Sequence, residues 1–534
     1  MHIVAMTSFL KRHKLLAYSL LGVLALAMLL GLGLGYRSIG PYRSYRADKM
    51  KPALGQALPT GALGVGVAKR DITPLMDTYD PWVDADNNGK FEPKKGDTYT
   101  DKNGNGTFDF VWIAGFGNNR PAKGVHDRLW ARAIAFRNNG VTIVMVSLDS
   151  IGIFHDKFIE VRNMINPSLG IDHIMFSSLH DHEAPDTMGI WSYSILRPRF
   201  DHKYTKLVQN ACKVAVEEAV RNLQPADTIL AQVTAGPDEY VDDSRKPIVY
   251  DNVIRCARFV KKGTDDTIAT VVEWGCHPET LGGANSLLTS DFSGYWRDAV
   301  ESGVPEPHGV KGLGGMCIYF QGCLGGLMTQ LHTTVPHRNG VDKFMDASFE
   351  KAQALGENLA ILMVNALRGE KAWRPADARV AVAAKTIFVP MSGLMGCGVF
   401  LGLVHPGWYW GNGKTELDVI QIGDLEILTV PGELYPEIAE GGIESPEGAD
   451  YPSPPIEVPP LRSQMRGKLN MIVGLANDEL GYIIPKSQWD KKPPYAYGRT
   501  GAPQYGEENS PGPDVAPTIH REALALLKQF HAAQ

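Results

Sequence analysis

The spacing of apolar residues changes along the chain in a way that separates strands from helices. Residues 141–148 (VTIVMVSL) form a short, unbroken, β-branched run, the pattern of a strand buried on both faces. Residues 174–178, 229–233, 269–274 and 316–320 repeat that pattern. Between these runs apolar positions recur at helical spacing over 204–223, after Asp291, and over 344–367, where Arg368-Gly369 supplies a stop. Strands alternating with helices predict an α/β fold, a mixed sheet flanked by helices in one large domain. Residues 380–430 carry more strand and less helix. The Pro-rich stretch 445–461 and the Pro/Gly/Tyr-rich stretch 493–517 read as loops, ahead of a terminal helix near 521–530.

A different pattern opens the chain. Lys11, Arg12, His13 and Lys14 precede an uncharged apolar run over 15–34, and Arg37, Arg43 and Arg46 follow it. About 20 helical residues span roughly 30 Å of hydrocarbon, whereas a secretory signal core is about 7 to 15 residues long. The run predicts an uncleaved transmembrane signal anchor, with a long cleaved signal peptide as the alternative. Either way the body lies on the extracytoplasmic side, periplasmic or extracellular. Residues 1–50 are then a cytoplasmic stub, the anchor and a juxtamembrane linker, and residues 60–534 are the body.

Composition narrows the function further. The 534 residues hold 53 Lys+Arg against 59 Asp+Glu, a formal charge of −6 that offers no basic field for nucleic acid. The six cysteines, Cys212, Cys256, Cys276, Cys317, Cys323 and Cys397, contain no C-x-x-C pair and read as buried thiols, with one or two bridges as the alternative.

Two acidic loops interrupt the start of the body, at about 80–112. In the first, Asp84, Asp86, Asn88 and Glu92 stand at positions 1, 3, 5 and 9 with Gly89 at 6; in the second, Asp101, Asn103, Asn105 and Asp109 do so with Gly106 at 6. Hard oxygens at that spacing around a turn glycine match the first part of a calcium loop. Lys95 and Trp112 occupy position 12, where a bidentate acid belongs, so these are not EF-hands; Asp97 or another acid would have to close the first. The expectation is structural Ca2+, against Asx turns without metal.

Three strand ends carry metal-ligand residue types. His180 and His182 follow the 174–178 run, and residues two apart in extended chain face one side. His277 follows the 269–274 run, and in Val430-Pro-Gly-Glu433 a carboxylate comes just after a third strand. Two imidazoles and a carboxylate match a zinc site with an open position. An isolated H-x-H is also a common pattern of packed or surface histidine, and periodicity alone does not bring the three together.

The residues around these positions resemble the neutral/alkaline non-lysosomal ceramidase family, zinc amidases that cleave the N-acyl bond of ceramide. The resemblance runs through Val65-Gly-Val-Ala-Lys-Arg-Asp71-Ile-Thr73-Pro, Gly124-Val-His126-Asp127-Arg, Leu179-His180-Asp-His182-Glu-Ala-Pro185, His277-Pro-Glu-Thr-Leu with Asn285 and Ser290-Asp291, Pro431-Gly432-Glu433, and Gly474-Leu-Ala-Asn477 to Tyr482. It implies Zn2+ held by His180, His277, Glu433 and Tyr482, with His182, Arg245 and Tyr495 as the catalytic groups around it. Tyr495 falls one residue beyond the family spacing.

The departures shape the expected chemistry. Where the family has Gly-Asp-Val-Ser-Pro-Asn, with a serine assigned to catalysis, this chain has Gly325-Gly326-Leu327-Met328-Thr329-Gln330. The chain also continues only about 40 residues past the tyrosine motif, too few for the family's immunoglobulin-like C-terminal domain. A divergent, ceramidase-like amidohydrolase is therefore expected, acting on a ceramide-like or other acyl lipid through zinc-activated water, with His182 as base and then acid. Arg245 and Tyr495 are expected to steady the oxyanion. The alternatives are a zinc esterase or lactonase on non-sphingolipid substrates, and a non-catalytic metal-binding envelope protein. The apolar run 399–410 is expected to line an acyl-chain cleft or to be a core strand.

Overall fold

Apolar runs without polar alternation predict strands covered on both faces, and the covering proves to be a second sheet on one side and helices on the other. The computed structural model describes residues 2–52, 61–193, 200–237, 239–307, 309–401 and 407–533. Its first sheet has eight strands in the order Met316–Gln321, Thr267–Trp274, Val253–Lys261, Gln224–Thr234, Leu63–Asp71, Trp130–Asn138, Val141–Leu148, His173–Ser178. The two end pairs are parallel and the inner pairs antiparallel, so the sheet is mixed as expected. A second sheet runs Lys49–Lys51, Val380–Pro390, Asn412–Ile422, Leu425–Thr429, Leu469–Val473, with Trp408–Tyr409 hairpinned onto Asn412–Ile422.

The sheets pack face to face. Phe136, Met145, Phe259 and Phe320 of the first meet Val382, Ile420, Ile427 and Met471 of the second in one apolar layer. Helices cover the outer faces. The apolar stretch Tyr18–Tyr36 of α1 (His2–Ser38) is left uncovered by the body. α2 (His155–Met164) and α3 (His202–Arg221) cover one half of the first sheet, α4 (Asp291–Ser302) and α5 (Phe349–Arg368) the other. After α6 (Gly393–Phe400) and the short α7 (Pro436–Glu440), α8 (Val515–Ala533) closes the outer face of the second sheet. The result is four layers, helix, sheet, sheet, helix. Trp274 of the first sheet and Trp296 of α4 are fully buried where sheet and helices meet, and truncating either to Ala costs about 3–5 kcal/mol.

Local chemistry sets the helix ends. Asp201 caps α3 by accepting from the Lys203 and Tyr204 amides, and Ser348 caps α5 by accepting from the Lys351 amide. α5 starts at Phe349 rather than at 344 because Lys343–Phe344 is already paired with Val335–Pro336.

A buried polar latch joins the sheets. The Arg162 guanidinium of α2 pairs with Glu416 and donates to Asn477 Oδ1 at 2.9 Å, while Asn477 Nδ2 donates to Asp418 at 2.7 Å and His173 Nε2 lies 2.9 Å from Asp418. The six cysteines are free thiols, five buried and Cys397 exposed.

The juxtamembrane segment after α1 is fastened to the body. The Ser38 carbonyl accepts from the Gly407 amide at 2.7 Å, Ala47 donates to Thr386 Oγ1 at 2.7 Å, and Lys49–Lys51 forms an antiparallel edge strand with Val380–Pro390. Of the apolar run 399–410, residues 402–406 lie outside the described residues; Val399 ends in the cavity described below, and Trp408–Tyr409 is strand.

Candidate metal centre

Loops at the carboxyl ends of strands bring the site together. His180 follows the His173–Ser178 strand and adopts φ 61, unusual for a residue with a side chain. Its Nδ1 donates to the Ile151 carbonyl at 2.8 Å. His277 follows the Thr267–Trp274 strand, and its Nδ1 donates to the Met328 carbonyl at 2.8 Å. A carbonyl only accepts, so each neutral ring carries its proton on Nδ1 and keeps a lone pair on Nε2. Both lone pairs are presented to one carboxylate: Glu433 Oε2 lies 3.4 Å from His180 Nε2 and 3.1 Å from His277 Nε2. The fourth group arrives through pairing, because Glu433–Leu434 and Tyr482–Ile483 form a parallel two-residue ladder with Glu433 opposite Tyr482. The Tyr482 hydroxyl stands 3.4 Å from His277 Nε2.

Two imidazole nitrogens and a carboxylate are thus gathered inside the protein, with the Tyr482 hydroxyl donating to Glu433. Burial holds the His180 pKa below its ordinary value. At His277 burial also opposes charge, but the charged ring donates to Glu433 as the neutral ring cannot, and that bond with the charges of Glu279 and Glu433 outweighs burial and raises the pKa. Burial raises the Glu433 pKa, and the two imidazoles more than reverse that, so its carboxylate is held below the usual range. Such a cluster could hold a cation at its centre. Borderline-soft imidazole nitrogens with one carboxylate and one phenol are a donor set suited to zinc.

His182 adjoins the cluster. Its ring centroid is 4.9 Å from that of His180 and 5.5 Å from that of His277, and a ring nitrogen of each lies within 4.8 Å of the others. Gly115 makes room for it: at φ 95 a Cβ there would lie 2.4 Å from His182 Cγ. Burial holds the His182 pKa well below its ordinary value, so the ring is a neutral base, and its Nδ1 lies 3.2 Å from Glu279 Oε2. The cluster opens into a cavity of about 760 Å³ whose apolar walls include Phe154, Met188, Trp191, Met391, Met395 and Val399.

No family model matches this sequence, and no curated protein sequence matches it. Solved structures do match. A neutral ceramidase from Pseudomonas aeruginosa superposes with a TM-score of 0.60 at 15% identity, over 88% of this chain and 74% of that one. A ceramidase complexed with C2 gives a TM-score of 0.61 at 14% identity, over 89% and 76% of the two chains. The fold is ceramidase-like.

Within this ceramidase-like fold, two of the expected catalytic groups lie elsewhere. Arg245 is 2% exposed and does not line the cavity; its guanidinium is taken up by Glu507 at 2.7 and 3.0 Å, by the Gln488 carbonyl at 3.0 Å and by the Tyr505 carbonyl at 2.5 Å. Tyr495 also lies outside the cavity lining, and Tyr505 stands in the wall instead, its ring 6.0 Å from that of Tyr482. Tyr495 and Tyr505 both belong to the Pro/Gly-rich stretch 493–517, and of the two it is Tyr505 that faces the cavity. Arg245 thereby holds the loop that carries Tyr505.

Sequence reasoning also passed over Glu279 and Glu479. Glu279 follows His277 by two residues, the same spacing that singled out His182 after His180. Glu479 accepts from the Gly481 amide at 2.7 Å and fits because residue 152 is glycine, where a Cβ would lie 2.6 Å from Glu479 Cγ. In the divergent loop Met328 is buried away from the cavity, whereas Thr329 lines it and hydrogen-bonds to Glu279.

The acidic loops have the turns their glycines require, with Gly89 at φ 74 and Gly106 at φ 75. Asp84, Asp86 and Asp97 bring oxygens within 4.8 Å of one another, although the Lys123 ammonium sits 2.9 Å from Asp84. Asn88 donates to both Asp86 and Glu92, at 2.9 and 2.6 Å. In the second loop Asp101 accepts from the Gly104 and Gly106 amides, and Asn103 and Asn105 both donate to Asp109. A third group of metal-ligand types, His173, Glu416 and Asp418, belongs to the latch between the sheets and already contains the Arg162 guanidinium.

Proposed function

We propose that this protein is a zinc-dependent hydrolase of the N-acyl bond in a ceramide-like or other acyl lipid, held at a membrane by α1. The observation that carries this reading is the convergence of His180 Nε2, His277 Nε2, Glu433 Oε2 and the Tyr482 hydroxyl in the wall of an apolar cavity. Those four residues would hold the metal, which when bound supplies a Lewis acid that polarises a carbonyl and lowers the pKa of water toward 7.

The chain's own groups do the rest. His182, kept neutral by burial, takes a proton from the attacking water and returns it to the leaving amine. Glu279, 3.2 Å from Nδ1, orients that ring and steadies its charged form. The Tyr505 hydroxyl is the group in the cavity wall placed to donate to a developing oxyanion. Met328 stands where the family serine would be, and a thioether forms no acyl ester, so water is the nucleophile. The apolar walls accept the acyl chain. The segment Tyr18–Tyr36, 19 residues of mean hydropathy 2.0, is long and apolar enough to cross a membrane. The acidic loops are read as structural calcium sites.

The test is a metal analysis of the purified chain, paired with fatty-acid release from N-acyl sphingoid lipids, short-chain amides and matched esters. Zinc at one per chain with amide cleavage supports the reading. Turnover of esters alone refutes the amidase, and absence of bound zinc refutes the centre.

A further inference from the structure

The end of α1 is fixed to the same part of the body that walls the cavity. Tyr18–Tyr36 is apolar and its side chains are exposed, Leu20 at 62% and Leu29 at 63%. The chain that follows is fastened at several points: Ser38 accepts from Gly407, Lys414 donates to the Tyr42 carbonyl at 2.8 Å, Arg162 donates to the Tyr45 hydroxyl at 2.6 Å, and Ala47 donates to Thr386. A helix clamped in this way cannot swing about a flexible tether, so it fixes which face of the body meets the bilayer.

That face has the chemistry of an interface. α6 packs against α1 on one side and contributes Met395 and Val399 to the cavity wall on the other. Leu401, at the end of α6, is 45% exposed, and Phe388 is 38% exposed with the Arg46 guanidinium over its ring. Phe388 in turn packs on Tyr409 at 5.4 Å, and Lys414 lies over Tyr409. Aromatic rings with arginine and lysine beside the end of an apolar helix form the belt that anchors proteins at headgroup level.

The tip of the Trp408–Tyr409 hairpin is the most telling element. Trp410 and Gly411 form a two-residue turn with φ 50 and φ 85, a geometry that favours Asn-Gly and disfavours tryptophan. Trp410 there is 80% exposed and adds a large ring to the apolar surface at this end of the body.

We infer that the surface formed by α6, Leu401 and the Trp410 turn lies in the bilayer interface, so that the cavity takes its lipid directly from the leaflet. The inference rests on the anchor in the proposed function, and its physical test needs no catalysis. Cys397 on α6 is an exposed thiol in a chain whose other cysteines are buried, so a nitroxide label goes there without mutation. In full-length chain reconstituted into phosphatidylcholine vesicles, the label should collide more often with oxygen than with an aqueous nickel chelate. Bromine on shallow acyl carbons should quench an emission component that Trp410→Phe removes.

The opposite collision order together with an unquenched Trp410 overturns the proposal. Protection from both probes with dipolar broadening, the sign of a second copy on this face, also overturns it. A kinetic arm separates this from the amidase reading. Leu401→Asp with Trp410→Asp should slow cleavage of vesicle-borne lipid at least tenfold while leaving a water-soluble short-chain amide within twofold. Equal slowing of both substrates counts against leaflet entry even where the chain proves to be an amidase.

Discussion

Glu433 and Tyr482 stand directly opposite one another in a parallel ladder only two residues long, so the backbone places a carboxylate and a phenol beside the same pair of imidazoles. Tyr482 sits deep: burial first, and then the Glu433 charge, hold its phenol well above the ordinary pKa. A bound cation reverses that balance.

Replacing His180 and His277 together by alanine should remove the bound zinc while far-UV circular dichroism stays unchanged, because the flanking backbone keeps its own bonds, from the Leu179 and Asp181 amides to the Leu148 and Ser150 carbonyls and from the His277 amide to the Met328 carbonyl. Elemental analysis showing wild-type zinc in the double variant rejects the ligand assignment.

Tyr505→Phe should keep zinc and KM but lower kcat by about 10²-fold, the usual cost of one oxyanion donor. Tyr495→Phe should leave kcat near wild type. The reverse order would return the role to Tyr495.

Thr329→Ala should retain most of the activity, since the Thr329 hydroxyl is engaged with Glu279 and accepts from the Leu331 amide at 3.1 Å. Intact mass spectrometry after rapid quench should show no acyl adduct; an adduct on Thr329 would establish a covalent route.

A chelator that leaves zinc in place should lower the melting temperature and open residues 84–109 to protease, with added calcium restoring both. Asp84→Asn with Asp97→Asn should abolish the calcium response. Insensitivity of the wild type to calcium would make the loops Asx turns.

Burial pushes the Glu437 carboxyl up to about 8 from an ordinary 4.5. The folded chain then keeps a proton that the unfolded chain releases, so this contribution to stability is full below about pH 4.5 and is lost as pH rises through 8. Glu437→Gln should gain in melting temperature over wild type between about pH 5 and 8.5. Parallel pH curves for the two proteins would show that Glu437 does not titrate in this range.

The strands and the long helices were legible because each is a run of one period. The second sheet was not, since an unbroken apolar strand reads the same under a helix or under another sheet. His180, His277 and Glu433 stood out as polar residues at strand ends. Tyr505 did not, because it lies far past Tyr482 in a Pro/Gly-rich stretch without periodicity, and only the fold brings the two rings together. Arg245 matched a motif, yet the guanidinium is spent on Glu507, a partner 262 residues away that no local pattern reveals.

The strand Lys49–Lys51 has a practical bearing on any soluble version of the body. It covers residues 382–384 at the rim of the second sheet. A truncation that begins after Lys51 strips that cover and leaves a row of unpaired amides and carbonyls open to another chain. Such a fragment would tend to dimerise or precipitate edge to edge, and its assembly would reflect the cloning boundary. A start near Ser38 keeps the rim sealed.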